Sequence, residues 1–323
     1  MDNPFTTDNS TLYNGDCVEV LRWLESDSVG YSIFSPPFAS LYTYTDDERD
    51  MGNCLTLEEF LEHFDFLAPE LFRVTQPGRL LSFHCMNLPS SKSRDGVIGL
   101  KDFRGMLISA FERAGFVFHS EVCIWKDPVT AMQRTKAIGL LHKQIRKDSC
   151  MSRQGIPDYL VTMRKDGINT KPVDGLFDRW VGDPAMAPIN QSGLPLEEGE
   201  PTTEDVRRSI DVWQRYASPV WMDIDPGDTL QFTHVRNDKD ERHICPLQLG
   251  VIRRGIELWS NEGDLVLSPF AGIGSEGYVA LEEGRRFIGV ELKREYFEWA
   301  CKNLQYAETH ARAQLALFGE ATQ

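Results

Sequence analysis

The stretch LVLSPFAGIGSEG, residues 265–277, limits what this chain can fold into more than any other. A β-prone run ends at Ser268-Pro269, and glycines at 272, 274 and 277 follow before a helix-forming segment. A strand, a G-x-G-x-x-G turn and a helix let the backbone approach a nucleotide closely, because glycine adopts conformations other residues resist. The next strand-like run, RRFIGVEL, closes on Glu291, 19 residues after Gly272, the spacing at which an acid meets ribose hydroxyls. Only about 50 residues remain after Gly272, too few for a two-halved dinucleotide fold. The strands that complete the sheet therefore come from upstream. For the glycines alone, a tight βα turn without a ligand is the plain alternative.

The N-terminal part carries a matching feature. In YSIFSPPFASLY, residues 31–42, a hydrophobic run stops at Ser35-Pro36-Pro37-Phe38. Two prolines have fixed φ angles and no N–H, so the step ends a ladder, and a strand terminator is its plain reading. Strand-like and helix-like signals alternate through residue 126. A short strand and the turn Asn14-Gly15-Asp16 precede a helix from about Val18, and a strand covers 28–34. Thr56 with Glu59 three residues on opens a helix, and a strand follows Gly78. An amphipathic helix over 101–114 and a strand over 116–125 complete this part. The alternation returns from about Pro219. The pattern predicts an α/β fold with a doubly wound, mostly parallel sheet, and both proline-terminated strands ending on the rim where ligands bind. Residues 127–218 differ, being basic first and then rich in Pro, Gly and acids over 172–206. The expected organisation is one α/β domain in two parts, 1–126 and 219–323, with 127–218 as an insert decorating the sheet.

The chain has 41% hydrophobic and 26% charged residues and no apolar run of about 18 residues, so no membrane span is expected. Asp2 and Asp8 in a polar N-terminus argue against a signal peptide. Seven scattered cysteines without a Cys-x-x-Cys pair fit reduced thiols in a cytoplasmic protein and no metal site. The formal net charge of −15 speaks against a nucleic-acid partner. Yet ten Lys/Arg against four Asp between Lys126 and Lys171 give that segment +6 and leave −21 elsewhere. A cationic region on an acidic body can hold phosphates while the body repels them, although a solvated helix face is the plain alternative.

SPPF (35–38), followed far downstream by SPFAGIG (268–274) and FIGVEL (287–292), resembles the DNA amino-methyltransferases of the class usually called β, with the catalytic motif first and the S-adenosylmethionine motif last. LYNGDC (12–17) and HICPLQLGVIRRGIEL (243–258) resemble the same class, and the likeness covers roughly 11–126 and 219–305. It implies a Rossmann-like methyltransferase fold in permuted motif order, S-adenosylmethionine as cofactor, double-stranded DNA as partner and a bacterial or phage origin. A homodimer and a cognate restriction endonuclease are further partners it allows. By this resemblance, the Ser35 hydroxyl and the Pro36 carbonyl accept the hydrogens of an exocyclic amine, Pro36 and Pro37 hold that carbonyl rigid, and Phe38 stacks on the extruded base. Phe270 and Ala271 would lie against adenine or ribose, with Gly272 and Gly274 letting the backbone approach. Glu291, followed by Leu292, would take the ribose hydroxyls, and Asp16 with Cys17 the adenine amine. Ser275, His243 and Pro246 would lie near the methionine end. Asp16 could instead cap the helix, and His243 could be a surface residue. Arg134, Lys136, Lys143, Arg146, Lys147 and Arg153 would supply phosphate contacts, and 127–218 would read the target sequence.

Two positions depart from the family pattern. Ser268 stands where an acid is usual, and Cys245-Pro246 where Lys-Pro is usual. Ser in the first tetrapeptide position is commoner among enzymes resembling cytosine-N4 methylators, so N4 of cytosine is the favoured target and N6 of adenine the alternative. RNA or protein-amide methylation uses a similar Pro-Pro turn but places the cofactor motif first. An inactive S-adenosylmethionine-binding module on DNA and an NAD-type α/β enzyme are further rivals.

Overall fold

The computed structural model describes residues 3–38, 47, 49–135, 138–177, 179–186, 202–230 and 246–320. The N-terminal elements are β1 (Phe5–Thr6), β2 (Ser10–Asn14), α1 (Cys17–Leu21), β3 (Val29–Phe34), α2 (Leu57–Val74) and β4 (Thr75–Met86). A small hairpin, β5 (Leu88–Ser90) and β6 (Gly99–Lys101), brackets α3 (Lys92–Asp95). Then come α4 (Phe103–Arg113), β7 (Val117–Ile124), α5 (Pro128–Thr135), α6 (Gln144–Lys147), β8 (Asp158–Arg164), α7 (Thr203–Tyr216) and β9 (Val220–Trp221). The C-terminal elements are α8 (Leu249–Trp259), β10 (Leu265–Ser268), α9 (Ser275–Glu282), β11 (Arg286–Glu291) and α10 (Arg294–Glu320). No described helix is long and apolar enough to cross a membrane.

A sheet with strand order β1-β2-β11-β10-β3-β4-β8-β7-β9 forms the middle layer. From β2 through β4 all neighbours are parallel, and β8 runs antiparallel between β4 and β7. Each position of β3 is buried, as a strand covered on both faces requires. One face carries α1, α2 and α4, whose Phe60, Phe64, Leu107 and Phe111 pack with Phe34 and Phe83 of the sheet. The other carries α8, α9 and α10, with Val251, Ile256, Val279 and Leu304 against Tyr31, Ile33, Val266 and Phe287. Helices on both faces of a mostly parallel sheet are the α/β architecture that the alternating pattern predicts.

Residues 127–218 do more than decorate this sheet. β8, DYLVTMR, is a central strand pairing with β4 along Leu80↔Arg164 to Met86↔Asp158 and with β7 on its other side. The seven-residue run was overshadowed by the charges around it, and an antiparallel strand returning next to β4 needs no helix after it to announce its place. α7 was likewise unexpected, although Thr202 and Asp205 form a reciprocal capping box at its start.

The same segment is locked to α8 through Arg254, whose side chain is fully buried. Its Nε donates to the Val181 carbonyl at 2.9 Å, and Nη1 and Nη2 donate to the two oxygens of Asp223 at 3.0 and 2.5 Å. The rings of Trp180, Tyr216 and Trp221 surround the guanidinium, each centroid 5.0 Å from Cζ. Breaking a buried pair from one side leaves an uncompensated charge and costs about 3–5 kcal/mol. Arg254→Ala is therefore expected to lower the unfolding free energy by about that amount in urea denaturation, and Arg254→Lys to recover little of it, since an ammonium cannot reproduce the planar fork. A loss below about 1 kcal/mol for Arg254→Ala would contradict this role.

Candidate active site

The parallel strands β3, β4, β10 and β11 end on one edge of the sheet, where a doubly wound sheet binds its ligands. A cavity of about 570 Å³ opens there, and both proline-terminated turns line it. Phe34, at the end of β3, meets Phe270, just beyond β10, with ring centroids 5.9 Å apart. Most residues predicted for the site converge: Asp16, Cys17, Ser35, Pro36, Pro37, Phe38, Pro246, Phe270, Ala271, Gly272, Ser275, Glu291 and Leu292 all line the cavity. His243 lies outside the described residues. Asp16 lines the cavity, and its Oδ1 accepts the Glu19 N–H at 2.9 Å as the N-cap of α1, the capping role that its sequence position also allowed.

After Ser268 the chain turns through Gly272 and Gly274, at φ 52° and 90°. The Gly272 N–H donates to Glu291 Oε2 and the Lys293 N–H to Oε1, each at 2.8 Å. These two bonds fix the carboxylate at the cavity wall and leave each oxygen a further lone pair for a hydroxyl. Gly274 is the N-cap of α9 and lies against α10 instead of lining the cavity; a Cβ there would sit 3.2 Å from Ala300 Cα. At Gly277 a Cβ would meet Leu304 and Phe287 at 2.5 Å, so the third glycine serves close packing of α9 on β11 and α10. A half-open apolar wall, a fixed carboxylate and a glycine turn together fit an adenosine-bearing ligand.

The other end of the cavity holds a polar chain that the sequence reading missed. Ser35 Oγ lies 3.2 Å from His84 Nδ1 and 3.4 Å from the His84 carbonyl oxygen. His84 Nε2 lies 3.1 Å from Asp158 Oδ2, an ion-pair separation without hydrogen-bond alignment, and Lys126 Nζ lies 2.5 Å from the same oxygen. Asp158 Oδ1 is buried without a hydrogen-bond partner among the described residues. Burial would raise the Asp158 carboxyl, but His84 and Lys126 hold it below its ordinary value, so it is a carboxylate. The register explains the convergence. Phe34 pairs with Phe83, so Ser35 and His84 follow side by side, and antiparallel β8 starts at Asp158 on the same edge. A polar residue closing the strand beside SPPF was the available signal.

Ser35, His84 and Asp158 resemble a nucleophile triad in outline only. The nucleophile elbow of an α/β hydrolase draws an oxyanion donor from the backbone N–H after its nucleophile, and the next two residues here are prolines, which have none. What the turn does offer is acceptors: the Ser35 hydroxyl and a Pro36 carbonyl on a backbone that cannot relax in φ. Phe38 lines the cavity beside them, its ring edge-on to His84 and Phe103 with centroids 6.3 Å away in each case.

The basic segment forms a further wall. Trp125, Lys126, Thr130, Leu140 and Arg153 line the cavity, and Trp125 is 49% exposed. Lys143, Arg146 and Lys147 are exposed on and beside α6. Lys136 and the side chain of Arg134 lie outside the described residues. Away from the cavity lining, Cys54, Glu59 and His63 hold ligand-type atoms within 4.8 Å of one another. Glu59 is engaged there as acceptor for the Leu55 N–H at 2.7 Å, and Cys54 packs in the core.

Burial pushes the Glu276 carboxyl up to about 8 and that of Glu291 up to about 7, from an ordinary 4.5. From about pH 5 the unfolded chain has lost these protons, while the folded chain keeps them until the pH passes about 7 at Glu291 and about 8 at Glu276, so stability falls as pH rises through this window. The ligand-free protein is expected to show a urea midpoint that drops from pH 5 to pH 8, and Glu276→Gln to show a shallower drop. A variant with the parental slope would contradict this assignment.

Residues 29–302 match the model of a family described as DNA methylase. The chain is 40% identical to the orphan methyltransferase M.BamHII of Bacillus amyloliquefaciens over 89% of this chain and 93% of that protein. It is 35% identical to the DNA adenine methyltransferase YhdJ of Escherichia coli (strain K12) over 36% of this chain and 40% of YhdJ. Its fold is similar to that of TTHA0409 from Thermus thermophilus, solved in complex with S-adenosyl-L-methionine, with TM-score 0.61, 22% identity and coverage of 92% and 93% of the two chains. With this family model spanning most of its length, and its two defining turns facing one cavity, the chain belongs to the N6/N4 DNA methylase family.

Proposed function

We propose that this protein transfers a methyl group from S-adenosylmethionine to an exocyclic amino nitrogen of a base flipped out of double-stranded DNA, with N4 of cytosine as the favoured target. The observation that carries the reading is the shared cavity, with Ser35-Pro36-Pro37-Phe38 at one end and Phe270, Gly272 and Glu291 at the other. S-adenosylmethionine supplies an electrophilic methyl group on a sulfonium. The residues near it divide as follows: Glu291 holds the ribose, Phe270 lies against the adenosine, and Asp16 faces the adenine amine.

At the other end the chain has to make a poor nucleophile reactive. The lone pair of an exocyclic amine is delocalised into its ring, and it becomes available only as the nitrogen turns towards sp³. Acceptors for both amine hydrogens favour that geometry. Ser35 can give its own hydroxyl proton to the His84 carbonyl oxygen, or to Nδ1 when the imidazole is neutral with its proton on Nε2 facing Asp158, and keep its lone pairs for the amine. The Pro36 carbonyl takes the second hydrogen. Sulfur keeps the electron pair of the broken S–C bond. The Asp158 carboxylate behind His84 favours the positive charge that develops on the nitrogen. That charge is discharged when the methylated amine releases one hydrogen as a proton. Phe38 gives the extruded ring a face to stack on. No covalent enzyme intermediate is needed, and rate comes mainly from alignment.

Ser35 supports cytosine N4 by its resemblance to that group of enzymes. Adenine N6 is the second reading, favoured by the likeness to YhdJ over a third of the chain. Expression in a methylation-free bacterium followed by base-modification sequencing reveals base and motif together; a folded protein leaving no modified DNA would overturn the proposal. Ser35→Ala is expected to slow methyl transfer by about 100-fold or more, on the scale of losing one preorganised polar group, and Phe38→Ala by about 5- to 150-fold, the worth of one base–aromatic stack.

DNA approaches along the basic wall. Each neutralised phosphate contributes about −0.9 to the slope of log binding constant against log salt. Replacing Arg146, Lys147 and Arg153 with alanine is expected to weaken binding and flatten that slope by about 2–3. Unchanged binding at low and high salt would remove this segment from the interface.

A further inference from the structure

The methionine end of S-adenosylmethionine carries an α-ammonium, and a cation enclosed by protein needs a counter-charge. The usual acid is missing at Ser268. Ser268 is fully buried, its hydroxyl has no hydrogen-bond partner among the described residues, and it is not part of the cavity lining. Eight residues on, Glu276 stands in the first turn of α9, 4% exposed and lining the cavity beside Ser275.

A buried carboxyl normally has a partner. Among the described residues no cation and no side-chain donor meets that of Glu276, and its own main-chain N–H alone favours the charged form. Burial, with Glu291 nearby, leaves it protonated at neutral pH. The opening of a helix suits a carboxylate modestly, but that term is about 1 kcal/mol and does not account for burying one. Core packing does not call for a carboxyl either, since an apolar side chain of similar length would fill the space without a desolvation cost.

We propose that Glu276 is the counter-charge for the α-ammonium of S-adenosylmethionine, replacing the acid absent at Ser268. The assignment rests on the S-adenosylmethionine reading above and adds one residue to that site. Glu291 remains the ribose acid, held to Gly272 at the turn, while Glu276 lies four residues further along the chain, in the first turn of α9.

Two ligands separate these roles in calorimetric titrations of the full chain. S-adenosylhomocysteine has the ammonium, whereas 5′-methylthioadenosine keeps adenine, ribose and thioether but lacks the amino-acid end. Glu276→Gln is expected to weaken S-adenosylhomocysteine about 10- to 100-fold, the range of one charge-assisted hydrogen bond, and to leave 5′-methylthioadenosine unchanged. The unchanged ligand also shows that the variant is folded. Equal weakening of both ligands would place Glu276 at the adenosine half instead. No weakening, or tighter binding of S-adenosylhomocysteine, would remove it from the ammonium. Parental protein that bound neither ligand would overturn the S-adenosylmethionine reading itself, and this assignment with it.

Discussion

The pairing of β3 with β10 joins Tyr31 to Val266 and Ser32 to Leu267, residues more than 230 positions apart. Everything at the site depends on it. It brings two strands from opposite parts of the chain into parallel register, so that Ser35 and Phe270 emerge on the same edge and enter one cavity. The two turns differ in kind: one is a stiff step that offers acceptors, the other a glycine loop beside a fixed carboxylate. Such a non-local contact forms only after a long loop closes, which costs entropy and slows folding. Burial on both faces repays that cost, since Tyr31, Ile33, Val266 and Leu267 are all fully buried.

The base-binding end depends on a second adjacency, between β4 and β8. Asp158 would be expensive to bury alone, and His84 and Lys126 compensate it from either side. The arrangement keeps a negative charge close to the site yet separated from the amine by an imidazole and a hydroxyl. A carboxylate directly at the first tetrapeptide position would place that charge on the substrate. Under the proposed function a neutral serine would do the accepting while the charge acts from behind, and the turn would work as a hydrogen-bond clamp.

Much of this was legible in the sequence because it is written in local chemistry. Proline pairs, glycine spacing and a strand-ending acid each have one backbone consequence, so Ser35 to Phe38 and Phe270 to Glu291 could be placed before any coordinates. β8 was not legible, because seven residues inside a charged stretch carry little periodic signal. His84 and Asp158 were hidden for a related reason. Their importance arises from register between neighbouring strands, which no single stretch encodes. The role of Gly274 shifted because a glycine motif specifies where the backbone must bend, and the neighbour it then meets, Ala300, belongs to a distant helix.

Charge placement ties the two ends of the cavity to the surface. A chain at −15 repels a polyanion over much of its surface, whereas Lys126 and Arg153 line the cavity and Lys143, Arg146 and Lys147 of the same basic segment are exposed. An acidic body with one cationic wall penalises wrong orientations as well as favouring the right one, since misdirected approach meets like charge. The acids inside the cavity extend the same logic. Burial raises the carboxyls of Glu276 and Glu291, Glu276 the more, so in the free protein they carry less negative charge than exposed carboxylates would. Asp158, also in the lining, is held ionised and is already compensated by its own neighbours. These three of the cavity's carboxyl groups therefore add little net repulsion towards a phosphate backbone.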